Sequence, residues 1–172
     1  REDIHPKLLE AGFRVALNAD YMETTPLGRA EWIKFIALFF GREKEAEKVF
    51  RSIERDYQRM RQMAQGVEDK PTVFTGAPYQ GNWWIAGGRS YVATLLRHAG
   101  ARYVFSDDDS TGSRPVTFES IFASASEADY WLNTGTWNSL AEGLATDERF
   151  RLFEAFRAGR GFNNNARTNG RG

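Results

Sequence analysis

The stretch that decides the fold covers residues 71–105, PTVFTGAPYQGNWWIAGGRSYVATLLRHAGARYVF. It predicts a strand over 71–75, an extended segment over 83–86, a helix that Ser90 caps, and a strand over 102–105. The same alternation of strand and helix continues downstream. Strands that alternate with helices are typical of βαβ units, so we expect a mainly parallel sheet.

The segments that follow extend this pattern towards the end of the chain. They are a polar loop over 106–115, a helix over 118–123, a strand over 129–133, a helix over 139–145, a helix over 147–157 and a strand that starts at 161. In the helix that Asp147 caps, Phe150, Phe153 and Phe156 recur every three residues. This spacing predicts that all three rings face the core.

Upstream of the decisive stretch the sequence predicts mostly helix. Residues 43–64 carry one apolar stripe with a period of 3.6 residues on an otherwise charged surface, which is typical of a long helix lying along another body. Thr25 and Pro26 predict the start of a shorter helix that is apolar nearly all round. A short strand is expected over 13–17, and Gly12 is expected to end a helix before it.

The composition excludes several classes of function. Lys and Arg together number 23, as do Asp and Glu, so the formal net charge is zero. Nucleic-acid binding needs a surplus of cations and is not expected. The absence of cysteine excludes disulfides, thiolate zinc sites and a cysteine nucleophile. The 172 residues are 41% hydrophobic, enough for a real core, and 14% aromatic. Aromatic residues in loops after strands favour a binding role.

Two polar motifs have both a functional and a structural interpretation. The run GGRS at 87–90 could hold an anion on backbone N–H groups, but close packing is favoured because no phosphate-loop pattern is present. Residues 107–112, DDDSTG, resemble the start of a calcium loop, but Phe118 occupies the position of the required glutamate. A solvated or capping loop is therefore favoured. His5 and His98 lack metal-ligand spacing, so neither a metal site nor a catalytic centre is expected.

Four longer motifs follow one another along the chain in a characteristic order. They are TPLGRAEWIKF at 25–35, FFGREKEAE at 39–47, GGRSY with LLRHAGA within 87–101, and VTFESIF with ADYWL within 116–132. Together they resemble the substrate-binding proteins of ABC importers for iron complexes, haem and cobalamin. The resemblance covers most of residues 12–167 and depends on the order and spacing of the motifs rather than on any single one.

The resemblance implies two α/β lobes joined by one rigid helix, with the ligand held between them. Residues 67–172 would be the C-terminal lobe, a three-layer αβα unit with a mainly parallel sheet. Residues 26–66 would be the helical connection and residues 1–25 a remnant of the N-terminal lobe. The chain would then be a fragment that lacks most of the N-terminal lobe. The whole protein would be periplasmic, or a membrane-anchored lipoprotein facing the periplasm.

The resemblance also implies a function without catalysis. The protein would capture an iron(III) chelate (siderophore), haem or corrinoid and deliver it to the membrane permease of an ABC importer, with no cofactor of its own. Glu119 occupies the position of the C-lobe glutamate that docks on an arginine cluster of the permease. The alternative is an ordinary first-turn glutamate that the helix dipole stabilises.

The predicted ligand-binding residues follow from positions in loops and at the ends of strands, because broad aromatic faces with Arg or amide groups suit large metal chelates. They are Tyr21, Glu23, Trp83, Trp84, Arg89, Tyr91, Trp137 and Asn138. Adjacent side chains of an extended segment point to opposite faces. We therefore expect one of Trp83 and Trp84 to lie in the core and the other to face outward.

Two other functions remain open at this stage. One is a carbohydrate- or glycan-binding module, because aromatic platforms with Asn and Asp also suit sugars. The other is an enzyme domain related to metallocluster-binding folds, which the absence of cysteine and of paired histidines disfavours. Apolar surface at Trp32, Phe39 and Phe40 would also allow two copies of this chain to form a homodimer.

Overall fold

The computed structural model of the protein describes residues 4–163. Its helices are α1 (His5–Glu10), α2 (Pro26–Leu38), α3 (Glu43–Gln65), α4 (Tyr91–His98), α5 (Phe118–Ala125), α6 (Leu140–Thr146) and α7 (Glu154–Arg157), with 3₁₀ turns at Asp20–Met22 and Glu148–Leu152. Its strands are β1 (Thr72–Thr75), β2 (Pro78–Tyr79), β3 (Asn82–Ala86), β4 (Arg102–Tyr103), β5 (Ser113–Val116), β6 (Tyr130–Leu132) and β7 (Gly161–Phe162). Within the described range, every helix is too short or too polar to cross a membrane.

A four-stranded sheet forms the centre of the lobe. Its order is β4-β1-β6-β7, and all three pairings are parallel. Neighbouring residues of β1 face opposite sides: Val73 packs with Ala93 and Leu96 of α4, and Phe74 packs with Ile121 of α5. Helices therefore cover both faces, and the α/β class with a mainly parallel sheet and a long preceding helix is confirmed.

The larger of the two cores consists mainly of aromatic rings. The ring centroid of Phe74 lies 5.2 Å from those of Trp131 and Phe153, which are themselves 5.8 Å apart. Trp83 and Phe150 are buried in the same cluster. Aromatic pairs at these distances add to the stabilisation that burial of the rings already provides. Eight of the 24 aromatic side chains are buried, so a third of the aromatic content supports the fold directly.

A second, antiparallel sheet was not predicted. It has the order β2-β3-β5, and β3 pairs along its length with β5 so that Trp84 lies opposite Pro115. Residues 106–115 were expected to be a polar loop, yet β5 begins at Ser113. Because most of β5 is exposed, its sequence lacks the alternation of apolar and polar residues that marks a half-buried strand.

The single helix expected over residues 147–157 is interrupted. Asp147 does cap the segment, but a 3₁₀ turn and the short helix α7 are separated by an extended Phe153. The N–H of Glu154 donates instead to the carbonyl oxygen of Ser126 at 2.8 Å, so a tertiary hydrogen bond replaces a helical one. The predicted inward direction of the three phenylalanines is confirmed, because all are buried.

The long helix α3 is fixed to the lobe through α4. The hydroxyl of Tyr57 lies 2.6 Å from Nδ1 of His98. Further along, Gly100 approaches the backbone of Ala64 so closely that an added Cβ would lie 3.1 Å from its carbonyl oxygen. Gly100 also has a φ of +84°, a conformation that glycine adopts without strain. These contacts attach the second half of α3 to the lobe.

The strand expected over residues 13–17 is absent. These residues have no regular secondary structure, and no described strand lies beside them to accept and donate backbone hydrogen bonds. Phe13 is 63% exposed and Leu17 is 57% exposed. The assignment of residues 1–25 to a second lobe stays a prediction. The outer parts of the predicted boundaries, residues 1–3 and 164–172, lie outside the described residues.

Apolar side chains at the end of α2 face solvent. Phe39 and Phe40 are exposed, whereas Trp32 is half-buried and contacts the ring of Phe35 edge-on. The exposed pair agrees with the expected apolar surface. A homodimer through this surface is not supported by any observation and stays a prediction.

Candidate ligand-binding site

A cavity of about 380 Å³ separates the N-terminal segment from the lobe. One wall is formed by residues 21–24 and Arg29. The other wall contains Ala86, residues 90–92 and residues 111–113. We call this cavity the Arg29 pocket. It contains Tyr21, Glu23 and Tyr91, three of the eight residues predicted to bind ligand.

Arg29 connects the two walls of the pocket. Its Nε donates to the carbonyl oxygen of Asp20 at 3.2 Å, and Nη2 donates to that of Tyr21 at 3.0 Å. Its guanidinium carbon lies 4.3 Å from the ring centroid of Tyr91 on α4. This distance is well within the range of a cation–π interaction. Arg29 was not predicted as a site residue; it belongs to a motif that served only for the family resemblance.

Glu23 is held beside the start of α2. Its Oε1 accepts a hydrogen bond from Nε1 of Trp32 at 3.1 Å. The hydroxyl of Thr25 caps the helix by accepting the N–H of Gly28 at 3.1 Å, as predicted. An added Cβ on Gly28 would lie 2.8 Å from Oε2 of Glu23. The carboxylate therefore occupies space that only glycine leaves open, and one of its oxygens is already bonded.

The side chains of the two adjacent tryptophans lie on opposite faces of β3, as an extended backbone requires. Trp83 is 1% exposed, and its Nε1 donates to the carbonyl oxygen of Thr75 at 3.1 Å. Trp84 is 42% exposed on β3. The contacts of Trp83 are those of a core side chain, which corrects its placement among the surface residues expected to meet a ligand. Of this pair, Trp84 remains the candidate.

Two other predicted residues lie at the carboxyl ends of the parallel strands. Trp137 is half-buried, with its ring 5.8 Å from those of Trp131 and Phe156. The backbone N–H of Asn138 donates to Oε2 of Glu142 at 2.8 Å. The structure thus places three of the eight predicted residues in the Arg29 pocket and two in the loop after β6, whereas Trp83, Trp84 and Arg89 lie in neither group.

Arg89 makes an exposed ion pair at the rim of the lobe. Its Nη2 lies 2.7 Å from Oδ1 of Asp109, and both side chains are largely exposed. The glycines before it serve close packing, the interpretation that the sequence favoured. An added Cβ on Gly88 would lie 2.5 Å from the carbonyl oxygens of Ser106 and Asp108.

Hydrogen bonds and an ion pair to Asp108 hold the aspartate-rich loop together. Asp108 accepts hydrogen bonds from the hydroxyl and N–H of Ser110, and its Oδ2 lies 2.6 Å from Nε of Arg114. These donors stabilise the carboxylate and lower the pKa of Asp108 to about 2. Among residues 4–163, no group of three or more potential ligands of the His, Cys, Asp or Glu type could hold a metal.

Glu119 is exposed in the first turn of α5. Thr117 caps this helix by accepting the N–H of Ser120 at 3.2 Å. The pKa of Glu119 lies below its ordinary value because its own N–H and the Thr117 hydroxyl bond to the carboxylate, and the charge of Arg149 adds to the effect. Glu119 is therefore a fully charged surface carboxylate at neutral pH.

Arg149 is fixed in place close to this carboxylate. Its guanidinium makes paired hydrogen bonds to Asp147 at 2.9 and 2.7 Å and lies 4.0 Å from the ring centroid of Phe118. Arg149 pairs with Asp147, and the carboxylate of Glu119 has no ion-pair partner within 4 Å in the described part of the chain.

Comparison with known proteins gives a family match along most of the chain. A family model described as periplasmic binding protein matches residues 15–164. An uncharacterized lipoprotein of Methanocaldococcus jannaschii is 29% identical over 94% of this chain and 39% of its own length. A second lipoprotein of that organism is 31% identical over 91% of this chain and 42% of its own length. The chain thus spans about two fifths of these curated relatives.

Solved structures share the fold at lower identity. The haem-binding protein RhuT of Roseiflexus superposes with a TM-score of 0.72 at 20% identity, over 92% of this chain and 60% of that one. The haem-binding protein HutB of Vibrio cholerae superposes with a TM-score of 0.72 at 19% identity, over 92% of this chain and 61% of that one. A protein of an Fe3+-hydroxamate transport system from Saccharomonospora viridis superposes with a TM-score of 0.69 at 16% identity, over 91% of this chain and 55% of that one. At this identity the superpositions show a shared fold.

Proposed function

Because the chain belongs to the periplasmic binding protein family, we propose that it is part of the substrate-binding component of an ABC importer. The ligand would be an iron(III) chelate, haem or a corrinoid, captured between two lobes and delivered to a membrane permease. The observation that carries this proposal is the Arg29 pocket, where the segment before the helical connection meets the lobe. The family is one of binding proteins, in line with the prediction of binding rather than catalysis.

The lining of the pocket supports a ligand that is large and partly apolar. Tyr21 lines the pocket and is 73% exposed. On the opposite wall, the ring of Tyr91 lies 4.3 Å from the guanidinium carbon of Arg29. Aromatic rings bury much surface with little loss of conformational freedom, while the hydroxyls of Thr111 and Ser113 offer hydrogen bonds. This mixture fits the broad faces of a metal chelate.

The proposed organisation keeps the helical connection, residues 26–66, rigid with the C-terminal lobe. The bond between Tyr57 and His98 and the close approach of Gly100 to Ala64 support this arrangement. A second lobe would then move relative to this unit about the irregular segment before α2. The long helix itself offers no flexible joint, so this movement would occur outside residues 26–66.

The proposed site of permease docking is Glu119. It is exposed and charged, and the nearby arginine is already paired with Asp147. A free carboxylate of this kind suits an arginine-lined surface, where charge complementarity sets the orientation and rate of association.

The relatives named lipoproteins support attachment to a membrane on the outer side, in the periplasm or its equivalent.

The function can be tested by titrating the full-length protein with ferric chelates, haem, cobalamin and a panel of oligosaccharides while following tryptophan fluorescence. Trp84 and Trp137 are partly exposed and would report ligand contact, whereas the buried Trp83 and Trp131 supply a constant background. We expect saturable quenching by at least one metal chelate and none by sugars. A response to an oligosaccharide alone would support the carbohydrate-binding alternative instead.

A further inference from the structure

The guanidinium of Arg29 is oriented before any ligand arrives. Two of its N–H groups are bonded to the carbonyl oxygens of Asp20 and Tyr21, and its plane lies near the ring of Tyr91. Three contacts from two separate parts of the chain therefore restrict its rotation. An arginine held in this way loses little conformational entropy when a further partner binds.

The charge of Arg29 has no counter-charge in the described residues. No carboxylate oxygen within residues 4–163 lies within 4 Å of its nitrogens, and Nη1 has no hydrogen-bond partner there. Glu23, the carboxylate that shares the pocket, is bonded to Trp32 instead. Neutral carbonyl groups and an aromatic ring stabilise a cation without neutralising it. The pocket thus presents one positive charge with free donors.

We propose that Arg29 binds an anionic oxygen group of the ligand, such as a carboxylate or a catecholate oxygen of a metal chelate. This inference rests on the proposed function and specifies the charge of its ligand. Nη1 would donate to the anionic oxygen, while the rings of Tyr91 and Tyr21 contact the apolar body of the chelate. Charge-assisted hydrogen bonds of this kind are about twice as strong as neutral ones.

Two matched pairs of probes test this assignment on the full-length protein. The first pair is ferric haem and its dimethyl ester, which differ only in the two carboxylates. The second pair is a negatively charged tris-catecholate ferric chelate and a neutral tris-hydroxamate ferric chelate. We expect the charged member of at least one pair to bind about tenfold tighter or more, in keeping with one charge-assisted contact. Arg29→Met should abolish that preference, while Arg51→Met on the surface of α3 should retain it.

Arg29→Lys gives an independent measurement if Arg29→Met disturbs the fold. Lysine keeps the charge but lacks the planar fork, so the preference for the charged probe should survive at several-fold weaker affinity. Equal binding of charged and neutral probes by the wild type would overturn the inference, as would an unchanged preference in Arg29→Met. In both cases the proposed function stands, because chelates still bind. Failure of every chelate to bind the wild type would overturn the proposed function and this inference together.

Discussion

The hydroxyl of Tyr57 lies 2.6 Å from Nδ1 of His98, and this one hydrogen bond joins the long helix α3 to the end of α4. The two rings also meet edge-on at 5.9 Å. The partners are far apart in sequence, and the pair lies where the helical connection meets the lobe. Several consequences of this contact and of the pocket can be measured.

Removal of the Tyr57 hydroxyl should destabilise the protein without changing its shape. Tyr57→Phe keeps the ring contact but leaves Nδ1 of His98 without its hydrogen-bond partner, at an expected cost of about 1 kcal/mol in the free energy of unfolding. Urea unfolding followed by circular dichroism would measure this change. Tyr79→Phe is the matched control, because the exposed hydroxyl of Tyr79 meets only its neighbour Gln80. Equal effects of the two changes would contradict the proposed role of this bond.

The burial of His98 predicts a pH dependence of stability. The pKa of His98 lies below its ordinary value because burial disfavours the charged ring, and Arg61 and Arg97 repel the added proton. The unfolded chain therefore binds this proton more readily than the folded one. Stability is fully present above about pH 6.5 and decreases as the pH falls through and below that value.

Thermal unfolding between pH 7.5 and 5.5 would measure this decrease. His98→Gln should flatten the profile over this range, because the described carboxyl groups with shifted pKa values are lowered and titrate in more acidic solution. The charged and titratable groups facing His98 are Tyr57 and Arg61 on α3 and Arg97 on α4, and Tyr91 acts on Tyr57. A profile that His98→Gln leaves unchanged would show that another group controls it.

Close packing at Gly100 should make it more sensitive to substitution than other glycines with positive φ. Gly100→Ala adds a methyl group about 3.1 Å from the carbonyl oxygen of Ala64, so α3 must shift. Gly41→Ala has a similar backbone conformation but open space around it. Both changes should cost about 1 kcal/mol for the left-handed conformation, and Gly100→Ala should cost more because of the added clash. Chemical denaturation of both variants would compare them.

Truncation of the two adjacent tryptophans should change the stability of the protein by very different amounts. Trp83→Ala removes a buried ring and its hydrogen bond to Thr75, with an expected loss of about 3–5 kcal/mol in stability. Trp84→Ala should change stability by less than about 1 kcal/mol because the ring is partly exposed. If Trp84 contacts ligand, its variant should instead weaken chelate binding in the fluorescence titration. A fully folded Trp83→Ala with normal stability would contradict the buried placement.

Reversal of charge at Glu119 should reduce delivery of the ligand to the permease without changing how the protein binds the ligand. Glu119→Arg would place a cation against the arginine-lined surface expected on the permease, so uptake in cells should fall strongly. Chelate affinity of the purified full-length protein should stay within about twofold, because the residue lies outside the Arg29 pocket. Glu127→Arg, beyond the other end of α5, is the control. Normal uptake by the Glu119 variant would exclude the docking role.

Much of the fold was predictable because its signals are local. The stripe of apolar residues predicted α3, Thr25 and Ser90 cap the helices that follow them as predicted, and the alternation of strand and helix predicted the parallel sheet. The order of four motifs predicted the family, which the match over residues 15–164 confirms. Helix caps and periodicity act within a few residues, so the sequence carries them directly.

The candidate site depended on contacts between residues that are distant in sequence. The sequence required that Trp83 and Trp84 face opposite ways, but only the core around Phe74 and Trp131 decided which of them is buried. In the same way, no local sequence pattern predicted that β5 pairs with β3 or that Arg29 contacts Tyr91. Periodicity reveals which face of an element is apolar, whereas the partner of that face is selected by packing across the whole lobe. The sequence by itself therefore determined the location of most helices and the family, whereas the Arg29 pocket was decided by the tertiary structure alone.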